Sequence, residues 1–472
     1  MNKPCIRMFS LSRPTPVASG TGHRLCGIGL LVLLGAAAAV PAQADGLSLL
    51  AAYERALDSD PELAAAREAR AAGRERIVQG RAELLPQVNL QASYMEHDSE
   101  AYSLQTQPPG GTDYSARTYA IELRQPLFRL ESLAAYRAGQ AETKRVAHVY
   151  SQAEQAFILR VAEHYFAVLS ASESLEAARA EHKAMEQRMA AARQGREVGI
   201  SSRTEFEEAV ARRDQAEATL ITEENAFELA RQELANLLGF MPEGLHRIEG
   251  VPEAQPLEPG DVEAWVERAE ENAPELAEAR ESLNLARAEV TRRQGDRLPS
   301  IDLVARYSDQ SGGAQGGDDY FQQDTVYGVE LTMPLFGGGA LASRVSESRA
   351  SADEAAHRLE QARRAITLGT RRGFLNARSA RTRLEATERA VESARTAREA
   401  TQRGYRNGLN SQVELLDAEQ RFFAAQRDLA ETKYAYLESL LHLKAAVGDL
   451  GADDLAALEP LFDDELQLTE GP

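Results

Sequence analysis

Cysteine is nearly absent from this 472-residue chain, and both copies, Cys5 and Cys26, fall within its first segment. The remainder needs no disulfide framework, and no cysteine stands at residue 45 to carry a lipid anchor. Positive charge is in deficit: the formal net charge is -20, which excludes nucleic-acid binding through phosphates. The later histidines, His97, His148, His164, His182, His246, His357 and His442, lack metal-ligand spacing. No Ser-His-Asp order or carboxylate pair sits in a pocket-like context, so neither an enzyme nor a cofactor is expected. Gly337-Gly338-Gly339 lacks the lysine and the spacing of a phosphate loop, and reads as a strand-to-helix joint. Long apolar runs are missing as well, save one.

That run, residues 25–40, follows Lys3, Arg7, Arg13 and Arg24 and precedes Ala42-Gln43-Ala44. A basic region, a short apolar region and an A-x-A site predict a removable export signal over residues 1–44. The run is shorter than the roughly 20 residues a membrane span needs. The mature chain is expected to start at Asp45, with about 428 residues and a net charge near -24. Ala, Glu, Arg, Gln and Leu dominate long stretches without proline and almost without glycine. That is the composition of long helices and coiled coils.

The chain also resembles itself. SDPELAAAREARAAGRERIVQGRAELLPQVNLQASY, from Ser59, matches NAPELAEARESLNLARAEVTRRQGDRLPSIDLVARY, from Asn272. Pro61 pairs with Pro274, Phe128 with Phe336 and Gly199 with Gly408, so the offset drifts only from 213 to 208 and 209 residues. A tandem repeat this long is no solenoid unit and reads as a duplicated half-structure, 45–260 and 261–450, followed by an acidic tail, 451–472. The tail is expected to pack loosely.

Each half opens with a helix, 61–85 or 274–298, ended by Pro86 or Pro299. The apolar period then falls from 3.6 to 2. Val88, Leu90, Ala92 and Tyr94 alternate with polar residues, as do Tyr119, Ile121 and Leu123. Ile301, Leu303, Ala305 and Tyr307, then Tyr327, Val329, Leu331 and Met333, repeat the pattern. Strands are expected over 87–95, 117–125, 300–307 and 325–333, with polar loops at 96–116 and 308–324. One apolar face fits a soluble sheet or a transmembrane barrel. Export and the lack of any other core for the sheet to cover favour the barrel. Four strands cannot close, and an open edge is not viable in lipid, so several chains must contribute; three would supply twelve strands.

Two very long helices follow, 131–198 and 340–407, each roughly 100 Å at 1.5 Å per residue. Each meets a turn at Gly199 or Gly408 and returns as a second helix, 203–238 or 412–447. Leu415, Phe422, Leu429, Tyr436 and Leu443 repeat every seven residues beside a small-residue seam from Ser411 to Ala446. That heptad predicts a closely packed coiled coil. Glu414 and Asp417 open the second returning helix on one face. The linker 241–260, with four prolines, reads as irregular.

Gly404-Tyr405-Arg406-Asn407-Gly408, Leu415-Leu416-Asp417-Ala418-Glu419 and the closing 443–450 resemble the TolC family of outer-membrane efflux proteins. Asp60-Pro61-Glu62-Leu63 and Leu84-Leu85-Pro86 look like members that serve type I secretion. The resemblance spans essentially the whole mature chain. It implies a homotrimer in the outer membrane of a Gram-negative bacterium. A twelve-stranded β-barrel would sit above a periplasmic α-helical barrel. The partners implied are a periplasmic adaptor and an inner-membrane ABC or RND-type transporter. Glu414 and Asp417 match the carboxylates that ring the closed tip. Tyr405 matches a tyrosine tying the inner coil to its neighbour, with Thr204 and Glu205 as polar partners. Gly199 and Gly408 mark the tips where an adaptor docks. Asn410 stands where the family's best-studied pattern has an arginine, which leaves that latch contact without a cation.

Three copies of Glu414 and Asp417 would place six carboxylates around one axis, raising some pKa values and favouring cations. The plainer reading is that acidic residues in a first helical turn suit the helix dipole. The leading function is a passive exit duct for an energised pump. A periplasmic coiled-coil adaptor or structural protein without its own pore is the alternative, and the four amphipathic strands discriminate against it.

Overall fold

The computed structural model describes residues 46–101, 110–248, 250–253, 256–313, 319–462 and 464–468, so the expected export signal lies outside the described residues. In chain order the elements are α1 (Leu49–Ser59), α2 (Pro61–Ala82), β1 (Gln87–Ala101), β2 (Gly110–Phe128), α3 (Leu130–Glu197) and α4 (Arg203–Leu238). Then come β3 (Gly244–Arg247), α5 (Val262–Asn272), α6 (Pro274–Gly295), β4 (Ser300–Gly313) and β5 (Asp319–Thr332). The chain closes with α7 (Ala340–Arg406), α8 (Gln412–Val447), α9 (Ala452–Leu458) and β6 (Asp464–Gln467). Among the described residues no helix is long and apolar enough to cross a membrane.

The four long strands form one antiparallel sheet in the order β1-β2-β4-β5. Its register sets Leu90 opposite Ile121, Ile121 opposite Tyr307, and Leu303 opposite Val329. The four apolar alternations therefore share one face, because side chains two apart point the same way. Leu90, Tyr119, Tyr327 and Val329 on that face are exposed. On the other face Arg124 reaches Asp302 at 3.3 Å and Glu330 at 3.1 Å, and Arg129 reaches Asp302 at 2.6 Å.

The strands outrun their alternation. Residues 96–101, 110–116 and 308–313, expected as loop, extend the ladder. Backbone pairing needs no apolar side chains, so a strand can continue into polar sequence where hydropathy loses it.

Beyond the sheet the helices form a row. α2 and α6 pack on the sheet-proximal part of α3, and α6 also packs on α7. Further on, α4 packs on α3, α3 on α8 and α8 on α7, while α4 and α7 make no extended contact. The main core gathers α1, α3, the ends of α4 and α8, and the C-terminal segment. Phe166 stacks on Phe462 at 6.2 Å between ring centroids, and Tyr165 meets Phe462 edge-on at 5.9 Å. The Tyr165 hydroxyl lies within hydrogen-bond distance of the carbonyls of Leu47 and His246, at 2.9 and 2.7 Å.

That core corrects two expectations. The described part of the acidic segment, 451–462 and 464–468, is not loose: Leu455, Phe462, Leu466 and Leu468 are buried, and β6 pairs with β3. Its acidic composition hid the apolar residues spaced through it. β3 also interrupts the linker expected to be irregular, with Leu245 wholly buried.

Candidate functional site at the helix tips

Each long helix reverses through a short turn closed by a glycine in the left-handed region. Gly199 has φ 76° and Gly408 φ 74°, which favour glycine because a Cβ is strained there. The Gly195 carbonyl accepts from Ile200 N at 2.7 Å, and the Gly404 carbonyl from Leu409 N at 2.8 Å. The turns expose large aliphatics, Ile200 at 84% and Leu409 at 81%. Ser202 and Ser411 then cap α4 and α8. Ser202 Oγ accepts from Glu205 N at 3.1 Å while Glu205 Oε2 accepts from Ser202 N at 2.7 Å. Ser411 and Glu414 repeat the reciprocal pair at 3.2 and 2.8 Å. Two otherwise orphaned backbone donors are satisfied at each tip.

Glu414 is thus committed to its own helix terminus. Asn410 Nδ2 donates to Glu414 Oε2 at 3.0 Å. That bond and the Ser411 N–H hold the Glu414 carboxyl below the usual carboxylate range. This is opposite in direction to the rise expected of a carboxylate ring, because within one chain hydrogen-bond donors, not like charges, surround it. Asp417 is paired as well: Arg212 Nη2 of α4 donates to its Oδ1 at 2.7 Å. Arg212 also reaches Gln420 and, at 3.2 Å, Glu208. Nothing local marks Arg212 in the sequence, since its partner lies 205 residues away.

Tyr405, half-exposed at the end of α7, is not brought to Thr204 and Glu205 within one chain; α4 and α7 stand at opposite ends of the row. What the structure adds is a ladder of buried ion pairs between α3 and α8. Arg188 grips Glu419 through Nε and Nη2, the shorter contact being 2.6 Å. Arg427 pairs with Glu181, and Lys433 with Glu173, whose carboxylate also accepts from Tyr434 Oη at 2.6 Å. Glu181, Glu419 and Lys433 are all buried. The rungs run 188 to 419, 181 to 427 and 173 to 433, so α3 and α8 are antiparallel and both turns lie at the same end. Among the described residues no group of His, Cys, Asp and Glu is placed to hold a metal ion.

A sheet with one exposed apolar face, carrying helices of 68 and 67 residues that reverse at paired tips, is the architecture of an outer-membrane channel chain. The outer membrane efflux protein family matches residues 52–240 and 265–449, and the chain belongs to that family. The alkaline protease secretion protein AprF of Pseudomonas aeruginosa is 31% identical over 430 residues, covering 88% of this chain and 87% of that protein. The outer membrane protein TolC of Vibrio cholerae is 30% identical over 408 residues, 85% of this chain and 91% of that protein. The crystal structure of the Vibrio cholerae outer membrane protein VceC superposes with a TM-score of 0.72 at 20% identity. It covers 85% of this chain and 96% of that one. The outer-membrane channel OprN gives 0.72 at 19% identity over 86% and 90%. The protein is an outer-membrane channel of the efflux and type I secretion class, with a large periplasmic helical part.

Proposed function

We propose that three copies of this chain close a twelve-stranded barrel and a continuous helical tunnel. That tunnel serves as the passive exit duct for an inner-membrane pump joined to it by a periplasmic adaptor. One observation carries this reading: a sheet with an exposed apolar face leaves β1 and β5 as open edges. Unpaired backbone groups at such edges are untenable in lipid, and pairing β5 of one copy with β1 of the next removes them. A periplasmic adaptor would have no use for that face. The names of the secretion relatives support a type I secretion role over drug efflux. The element order and the two family-matched stretches support descent from a duplicated half.

In the trimer Glu414 and Asp417 line the tip constriction, each tempered by its own partner, Asn410 or Arg212. Tyr405 reaches Thr204 and Glu205 of the adjacent copy. The turns at Gly199 and Gly408, with Ile200 and Leu409 exposed beside them, receive the adaptor. Single-channel conductance in a planar bilayer tests the duct, wild type against Glu414→Ala/Asp417→Ala. A small, cation-selective conductance whose block by a trivalent cation is lost in the double variant is expected. Conductance and block unchanged by the substitutions would remove the gate assignment, and no insertion at all would remove the duct.

A further inference from the structure

The four long strands contain three arginines and no lysine, and the register divides the arginines between the two faces of the sheet. Arg124 and Arg306 share the polar face, where Arg124 meets Asp302 and Glu330. Arg117 stands on the apolar face, in line with Tyr119, Ile121 and Leu123 of β2. Its guanidinium lies over the Tyr94 ring, 5.7 Å from the centroid. It is exposed and makes no ion pair among the described residues.

Position along the strand decides what surrounds that arginine. Leu127, exposed at the helix end of β2, is ten residues from Arg117, roughly 33 Å along the strand. At the roughly 40° tilt of an outer-membrane barrel this is a rise of about 25 Å, the height of the apolar band. Beyond Arg117 the positions on this face turn polar, with Ser115 and Asp113. Arg117 therefore marks the helix-distal edge of the band, where an arginine is tolerated because headgroups replace acyl chains.

The register lays its neighbours in one row across the sheet. Tyr94 stands opposite Arg117, Arg117 opposite Ser311, and Ser311 opposite Phe321. Tyr94 and Phe321 are 61% and 81% exposed. Cβ atoms directly opposite one another are about 5 Å apart, so the Arg117 fork and the Ser311 hydroxyl can donate to oxygens of one phosphate. The rings on either side offer apolar flats to the rest of a headgroup. Glu96 and Asp309, the nearest acids on this face, each sit a diagonal place away, and Asp309 accepts from Gln323 Nε2 at 2.9 Å.

We infer that Arg117 and Ser311, between Tyr94 and Phe321, form a site for the phosphate of an outer-leaflet lipid headgroup. This rests on the reading of the apolar face as lipid-facing and adds which lipid chemistry that face selects. A single cation on a face otherwise apolar or acidic favours an anionic headgroup, and the guanidinium fork favours phosphate among anions.

The full chain in detergent, titrated with diphosphoryl lipid A and read by native mass spectrometry, tests the site. Arg117→Ala should weaken binding about tenfold, and Arg117→Lys or Ser311→Ala about threefold. Arg306→Ala removes an arginine from the opposite face of the same sheet and should bind as wild type does. A phosphate-free analogue with the same acyl chains should not distinguish wild type from Arg117→Ala. Equal binding of diphosphoryl lipid A by wild type and Arg117→Ala overturns the site. Displacement of the lipid by equimolar inorganic phosphate overturns the lipid as its occupant. A wild-type chain that stays in aqueous solution without detergent overturns the lipid-facing reading beneath the proposal. Where Arg117→Ala fails to fold, Arg117→Lys and Ser311→Ala decide in its place, and wild-type binding by both overturns the site.

Discussion

α4 and α8 are twins at their ends and strangers along their sides. Both are 36 residues long, both start in a capping box and both stop at a left-handed glycine, Gly239 or Gly448. Yet six residues of α4 are buried and fifteen of α8. α8 is held from two sides: Arg188, Glu181 and Glu173 of α3 meet its charges, while Val391 of α7 packs with Phe422 and Phe423. α4 packs mainly on α3, touching α8 near the tip and α1 at its far end. Local chemistry starts and stops a helix; neighbours decide how much of it leaves water.

Removing a buried partner from α8 gives the largest predicted contrast. Glu181→Ala or Glu419→Ala leaves an arginine facing a desolvated gap and should cost about 3 kcal/mol. Glu228→Ala on α4 removes an exposed pair and should cost less than about 0.5 kcal/mol. Thermal unfolding of the detergent-solubilised protein measures both, and equal losses would mean that the α3–α8 ladder is no stronger than a surface pair. The caps come next. Ser202→Ala and Ser411→Ala should each cost about 1 kcal/mol, most visibly as faster amide exchange in the first turn. A markedly larger loss at Ser411 would show that Asn410 and Glu414 do more than cap.

The smallest effect is in pH, and it centres on α8. Burial and the nearby Glu163 charge push the Glu438 carboxyl up to about 7, and a hydrogen bond to Glu163 at 3.0 Å raises His442. Glu163, hydrogen-bonded to His442, is lowered and holds its contribution above its ordinary range, losing it only in acid. The raised Glu438 takes up a proton on folding, so its charged form opposes folding as pH climbs past about 5 towards 7 and beyond. The His442 contribution is complete below its ordinary pKa and is lost as pH rises through the raised one. Both act in one direction between pH 5 and 8. Glu438→Gln should therefore lift the melting temperature at pH 8 and leave it unchanged at pH 5. A lift of the same size at both values would refute the titration and point to packing.

What sequence could and could not show follows the same division. The tip turns were legible because Gly199 and Gly408 and the caps after them act within a few residues. The apolar face of the sheet was legible because a period of two survives in Val88, Leu90 and their counterparts. Residues 96–101 were not, since Glu96, His97 and Asp98 carry no apolar signal while their backbones still pair. The ion pairs were out of reach for a different reason: Lys433 and Glu173 are 260 residues apart, and no local pattern announces so distant a partner. Leu455 and Phe462 were lost inside an acidic stretch whose average concealed them.

The two long helices hang from the sheet by unequal fittings. α3 begins at Leu130, with Arg129 alone between it and the end of β2 at Phe128. α7 is reached through residues 333–339, a strap ending in Gly338 and Gly339 at φ 60° and 87°, with Leu335 and Phe336 almost wholly exposed. A change of angle between sheet and rod can spread over many torsions at α7 and almost none at α3. α3 is a mast stepped in its deck and α7 a boom on a swivel. A twist applied roughly 100 Å away at the tips would reach the sheet more directly through α3 than through the strap before α7.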